Sequence, residues 1–235
     1  MATTHELMSS MMTSQGALHL EHLRNNVEFP VYFIGETGMG LTCAWFKASI
    51  DRFPGREGIN EIVLGYISSE PEHNTSLIVL HCGKKPDKPL DVNQPFPVVY
   101  PPFDLLTNLA ARSPARFKSP NYWGDLQYIW SSPVDPDYDL APIWRFCQQI
   151  VWESLEVSKL NFKLFYQIEP GPLSLLFTEE GASYLAVGSV GVQRYEIEEI
   201  LKSLVCLQQS DVETMKRLQE KLDADALMHR GQNIH

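Results

Sequence analysis

Two β-type runs, residues 59–68 and 76–82, lie so close together that they limit what this chain can fold into. Each is rich in apolar and β-branched side chains, and the stretch Ser69-Glu70-Pro71-Glu72-His73-Asn74 between them is polar. A parallel return needs a crossover of about a dozen residues or more, so a connector this short brings the second strand back antiparallel. The pattern recurs late in the chain. Residues 162–168, 173–177 and 184–190 read as three strands, joined by Glu169-Pro170-Gly171-Pro172 and Glu179-Glu180-Gly181-Ala182, both turn compositions.

Around these strands lie helical patterns. Residues 6–25 carry Leu7, Met8, Met11, Met12, Leu18, Leu20 and Leu23 at amphipathic spacing, interrupted by Gly16 and stopped before Pro30. Residues 139–157 predict a helix with Asp139 as N-cap, Pro142 in the first turn, and a stripe of Ile143, Cys147, Ile150, Val151 and Leu155. Residues 194–208 predict another. Ser210 with Glu213 forms a capping-box pattern that opens a last helix to about Leu227. Residues 103–112 allow a short helix and 128–130 a short strand. Residues 31–34 form a compact strand. The stretch 41–53 fits a helix with Leu41, Ala44, Trp45, Ala48 and Phe53 near one face, or a strand. The side chains of Thr42, Cys43, Trp45 and Phe46 favour the strand, returning as a hairpin on 31–34. The architecture these elements predict is α+β: a mainly antiparallel sheet flanked by helices. It fills one domain over residues 1–235, with a subdivision near 95–138 allowed and loose tails at 1–5 and 228–235.

Composition narrows the function. Hydrophobic residues make up 44% of the chain and charged residues 20%, enough to build a core without disulfides or metal. No apolar run is long enough to span a bilayer, and the N-terminus lacks a basic start followed by an apolar block, so a cytoplasmic protein with no membrane association is expected. Cys43, Cys82, Cys147 and Cys206 are widely spaced within apolar runs, which points to reduced, buried thiols. A formal net charge of −10 repels a phosphate backbone, so nucleic acid is not an expected partner. Lys84, Lys85 and Lys88 are largely cancelled by Asp87 and Asp91.

Few motifs carry chemistry. Gly35-Glu36-Thr37-Gly38-Met39-Gly40-Leu41-Thr42 has the spacing of a phosphate-binding loop, and over these eight residues it resembles the loop of nucleoside triphosphatases. Leu41, however, stands where that loop places a lysine. Gly35, Gly38, Gly40 and Thr42 are thus weak phosphate-binding candidates, and a plain turn using glycine's freedom is the simpler account. His81 is a weak catalytic candidate. It cannot pair with Cys82, because adjacent strand residues face opposite ways, but it can meet a distant partner such as Asp104 or Asp125. His19 and His22 offer two imidazoles without a visible third ligand, and the acidic turn 135–139 lacks the glycine of a calcium loop, so neither a metal nor a cofactor is expected.

The second feature above background is the aromatic, proline-rich stretch 96–152. It holds Tyr122, Trp123, Tyr128, Trp130, Tyr138 and Trp144 in predicted loop and helix start, where rigid rings suit recognition. The expected function is a non-catalytic regulatory or assembly role through protein–protein contact on that stretch. The alternatives are a small-ligand sensor or enzyme with a pocket between sheet and aromatic stretch, and a nucleotide binder at the glycine loop. Oligomeric state is left open.

Overall fold

The computed structural model describes residues 12–51, 58–68, 76–84, 153–167 and 173–229. The described elements run α1 (Leu20–Asn26), β1 (Tyr32–Ile34), β2 (Leu41–Asp51), β3 (Gly58–Ser68), β4 (Leu77–Lys84), β5 (Glu153–Val157), β6 (Leu160–Gln167), β7 (Leu173–Glu180), β8 (Ser183–Val190), α2 (Arg194–Lys202), β9 (Leu204–Cys206) and α3 (Val212–His229).

The fold is α+β, as expected. Seven strands form an antiparallel sheet in the order β2-β3-β4-β8-β7-β6-β5. It joins two meanders side by side: β4, last of the first, pairs with β8, last of the second. The short polar connector and the Gly181 turn (φ +56°) give antiparallel neighbours because neither can carry a crossover. The side-chain period of two then sorts β4 into faces. Ile78, Leu80 and Cys82 join one cluster with Leu20 and Leu23 of α1, Ile197, Ile200 and Leu201 of α2, and Leu218 and Leu222 of α3. Leu77, Val79 and His81 point the other way. They are buried, as are their neighbours Val63, Tyr184 and Ala186, but all six stand outside that cluster.

Several elements differ from the sequence reading. Residues 41–51 are a strand, but β2 pairs with β3, while β1 pairs with β9 in a separate two-stranded sheet. The helix expected over 194–208 therefore stops at Lys202, because Leu204–Cys206 is needed opposite Tyr32–Ile34. An apolar stripe over 204–206 satisfies either period, and tertiary pairing decides. The helix expected over 139–157 does not reach its end: Glu153–Val157 is the edge strand β5, and 139–152 lies outside the described residues. Ahead of α1, residues 12–18 form a turn closed by a Met12–Leu18 bridge with Gly16 at φ +82°, and α1 starts only at Leu20. The last helix is capped by Asp211 rather than Ser210: Asp211 Oδ1 accepts from Thr214 N at 2.7 Å, and Ser210 Oγ donates to the Cys206 carbonyl. It continues to His229, past the expected Leu227.

Helix α3 docks on the edge of the sheet through its own charges. Asp225 Oδ2 accepts the amide of Cys43 at 2.8 Å, and Lys221 Nζ donates to the Leu41 carbonyl at 2.9 Å and to Asp225 at 3.3 Å. The helix thus serves the start of β2 as a neighbouring strand would, which protects an otherwise open edge.

Candidate functional site

The glycine loop, residues 35–40, joins β1 to β2. Its backbone is shaped by close contacts with α2. Gly35 N donates to the Ser203 carbonyl at 3.0 Å, and a Cβ at Gly35 would lie 2.8 Å from that oxygen. Gly38 N donates to the Glu199 carboxylate, and Gly40 takes φ +57° at the entry to β2. Thr42 is buried, with its hydroxyl against the Ile67 carbonyl and 3.0 Å from His229 Nε2. A phosphate loop needs free amides and a helix to follow. Here a carboxylate sits on the middle amide and a strand follows, which is the geometry of a fastened turn.

His81 has a different setting. The polar groups that meet it come from two neighbouring strands. On one side Val63 of β3 lies directly opposite, and Glu61, two residues along, reaches His81 Nε2 at 3.0 Å. On the other side Ala186 of β8 lies opposite, and the Tyr184 hydroxyl stands 2.9 Å from the same nitrogen. The Tyr184 ring also meets the imidazole edge-on, with centroids 5.2 Å apart and planes at 77°. Gly83, opposite Tyr184, makes this possible: a Cβ there would lie 2.6 Å from the tyrosine oxygen. Gly65 does the same for Trp45, whose indole would meet a Cβ at 2.0 Å. Nδ1 of His81 is buried and has no hydrogen-bond partner.

Asp104 and Asp125, the distant partners the sequence offers His81, lie outside the described residues. So do Tyr122, Trp123, Tyr128, Trp130, Tyr138 and Trp144. Glu61 and Tyr184 were not singled out by sequence. The one available signal was Gly83, a glycine inside a strand beside His81, which marks a close approach by a neighbouring side chain.

The described thiols, those of Cys43, Cys82 and Cys206, are set for packing. Burial pushes Cys82 up to about 12, and burial together with the Asp225 carboxylate pushes Cys43 to about 12. Cys206 is also raised, again by burial. A thiol held protonated at neutral pH is a poor nucleophile and a poor metal ligand. His19 caps α1, its Nδ1 accepting from His22 N at 3.2 Å. Among the described residues no group of three or more His, Cys, Asp or Glu side chains is arranged to hold a metal ion. None of the described helices is long and apolar enough to cross a membrane. No family model matches the chain, and no curated protein matches it.

Proposed function

We propose that this chain is a non-catalytic regulatory or assembly protein that acts by contact with a protein partner, and that its aromatic stretch 96–152 makes that contact. One observation supports the non-catalytic part most directly: chemistry-bearing groups of the described residues are committed to holding the fold. Cys43 and Cys82 are raised to about 12, the loop amide at Gly38 is taken by Glu199, and Asp225 and His229 tie α3 to β2. The free state of Cys43, Cys82 and Cys206 suits a reducing, cytoplasmic setting, which belongs to the same proposal. The partner part rests on the rigid rings of Tyr122, Trp123, Tyr128, Trp130, Tyr138 and Trp144.

The test is capture of partners from the native cell with wild-type chain and with Trp130→Ala, alongside a melting curve of each. Loss of specific partners from a variant that melts like wild type is the expected result. An unchanged partner set from such a variant would count against the aromatic stretch. Saturating a nucleotide site to a hundredfold over its Kd would add about 2.7 kcal/mol of stability. A nucleotide-induced rise in Tm would therefore overturn the structural account of the glycine loop.

A further inference from the structure

Between α1 and the first half of α3 lies an open cleft of about 470 Å³, within the range of about 300–1,000 Å³ that small-molecule sites occupy. Its walls are fixed to each other: Gln219 of α3 accepts the Leu20 amide at 2.9 Å and donates to the Leu18 carbonyl at 2.9 Å. Leu20 and Met215 give the cleft an apolar lining, and Val212, 82% exposed, carries that surface out to the rim. The charge beside it runs against that of the chain. The chain carries a net −10, yet the cleft is lined by Arg24 and Lys216 against one carboxylate of the described residues, Glu21. Arg24 is held in a set pose. Its Nη1 donates to the Ser210 carbonyl at 3.1 Å and meets Met215 Sδ at 2.7 Å, and its Nη2 lies 3.5 Å from the Gln208 carbonyl. These acceptors are neutral, so they fix the guanidinium without cancelling its charge, and no carboxylate of the described residues comes within ion-pair distance of it. Lys216 meets Glu220 only at 3.9 Å and stays 68% exposed, a pairing worth little in water.

We infer that this cleft binds a small molecule made of an apolar body and one carboxylate. The planar guanidinium of Arg24 matches a carboxylate, and Lys216 adds a second positive charge at the same cleft. Leu20, Met215 and Val212 take the apolar body out of water. Glu21 disfavours a more highly charged anion such as phosphate, and a cation would meet two like charges for one opposite. The site is independent of the partner contact proposed above, because its lining comes from residues 13–25 and 212–219 and none of it from 96–152.

Titration of the whole ¹⁵N-labelled chain with hexanoate, in a buffer free of carboxylates, tests it. Hexan-1-ol supplies the body without the charge, and acetate the charge without the body. The expected result is a saturable set of amide shifts over residues 19–25 and 212–219 with hexanoate, and binding of the other two that is weaker by about tenfold or more. Arg24→Gln removes a charge-assisted contact and should weaken hexanoate by about tenfold. Arg24 also holds the Ser210 carbonyl, so that variant is read together with its melting curve. Lys216→Glu decides the matter where Arg24→Gln does not fold: it reverses the charge at an exposed position and should weaken hexanoate by about tenfold as well. The site is refuted if hexanoate gives no saturable response, or if its shifts fall outside those two segments. Equal affinity for hexan-1-ol or for acetate, or hexanoate bound as tightly by Lys216→Glu as by wild type, refutes it too.

Discussion

His81 and Cys82 are adjacent in the chain and lie on opposite faces of β4, and the two faces are built by different rules. The face of Ile78, Leu80 and Cys82 is mainly apolar and packs with all three described helices in one cluster. The face of Val79, His81 and Gly83 mixes valine with an imidazole, a carboxylate, a phenol and two glycines that leave room for rings. Both faces are buried, so burial alone does not separate them. What separates them is how each polar atom is compensated. On the face of Ile78 the polar groups are paired: the Cys82 sulfur accepts from the Tyr32 amide, the Tyr66 hydroxyl accepts from the Ile34 amide, and the Ser174 and Ser189 hydroxyls bond each other. On the other face a strong polar group is buried with two partners on one nitrogen and none on the second.

The largest test of this difference uses pH. Burial raises the Cys82 thiol from 9.0 to about 12, so the folded chain keeps a proton that the unfolded chain gives up above pH 9. The unfolded state binds fewer protons there, and stability falls as pH rises. The contribution is complete below pH 9, declines by about 1.4 kcal/mol per pH unit, and is gone by about pH 12, a total near 4 kcal/mol. Urea unfolding of wild type and Cys82→Ala across this range checks it. The variant is expected to lose less stability on going alkaline, and parallel curves would mean that the thiol is not dry. Next in size is Leu80→Ala, which removes a fully buried side chain from the cluster and should cost about 2–5 kcal/mol by the same measurement.

Gly83→Ala moves the test to the other face. The new Cβ would lie 2.6 Å from the Tyr184 oxygen, so the ring must shift and release His81. A cost of about 1–3 kcal/mol is expected, as for other overpacked sites. Gly58→Ala is the control, since a Cβ there meets nothing within 4 Å, and it should change stability by no more than about 0.5 kcal/mol. Equal effects of the two substitutions would show that Gly83 does not hold the tyrosine in register.

How much of this was legible follows from where the information sits. The strands around residues 59–68, 76–82 and 184–190 declared themselves through local composition and short turns, and the antiparallel sheet followed. The end of α2 did not, because Leu204, Val205 and Cys206 suit a helix stripe as well as a strand, and only Tyr32–Ile34, far away in sequence, chooses between them. His81 was visible as a histidine in a strand, and its separation from Cys82 onto the other face followed from the period of two. Its partners were not visible: Glu61 is 20 residues away and Tyr184 is 103, and both arrive through the register of neighbouring strands. A chain read residue by residue gives faces, whereas a polar constellation across three strands needs the pairing as well.

The smallest expected effect is the most specific one. Tyr184→Phe keeps the ring, its edge-on contact with the imidazole and its fit above Gly83, and removes a single oxygen from 2.9 Å off His81 Nε2. Because Glu61 still accepts from that nitrogen, the Nε2 proton is not orphaned, and the loss should be about 1 kcal/mol, the ordinary net worth of one hydrogen bond. Glu61→Gln changes the other partner and replaces a carboxylate by an amide that can turn its N–H toward Nε2. The imidazole proton is then free to move to Nδ1, and the bare acceptor becomes a donor. The prediction is therefore a split between the two variants: both lose modest stability, but only Glu61→Gln changes the tautomer seen in the ¹⁵N spectrum of His81. If Tyr184→Phe moved the proton as well, the tyrosine and not the carboxylate would be setting the polarity of this face.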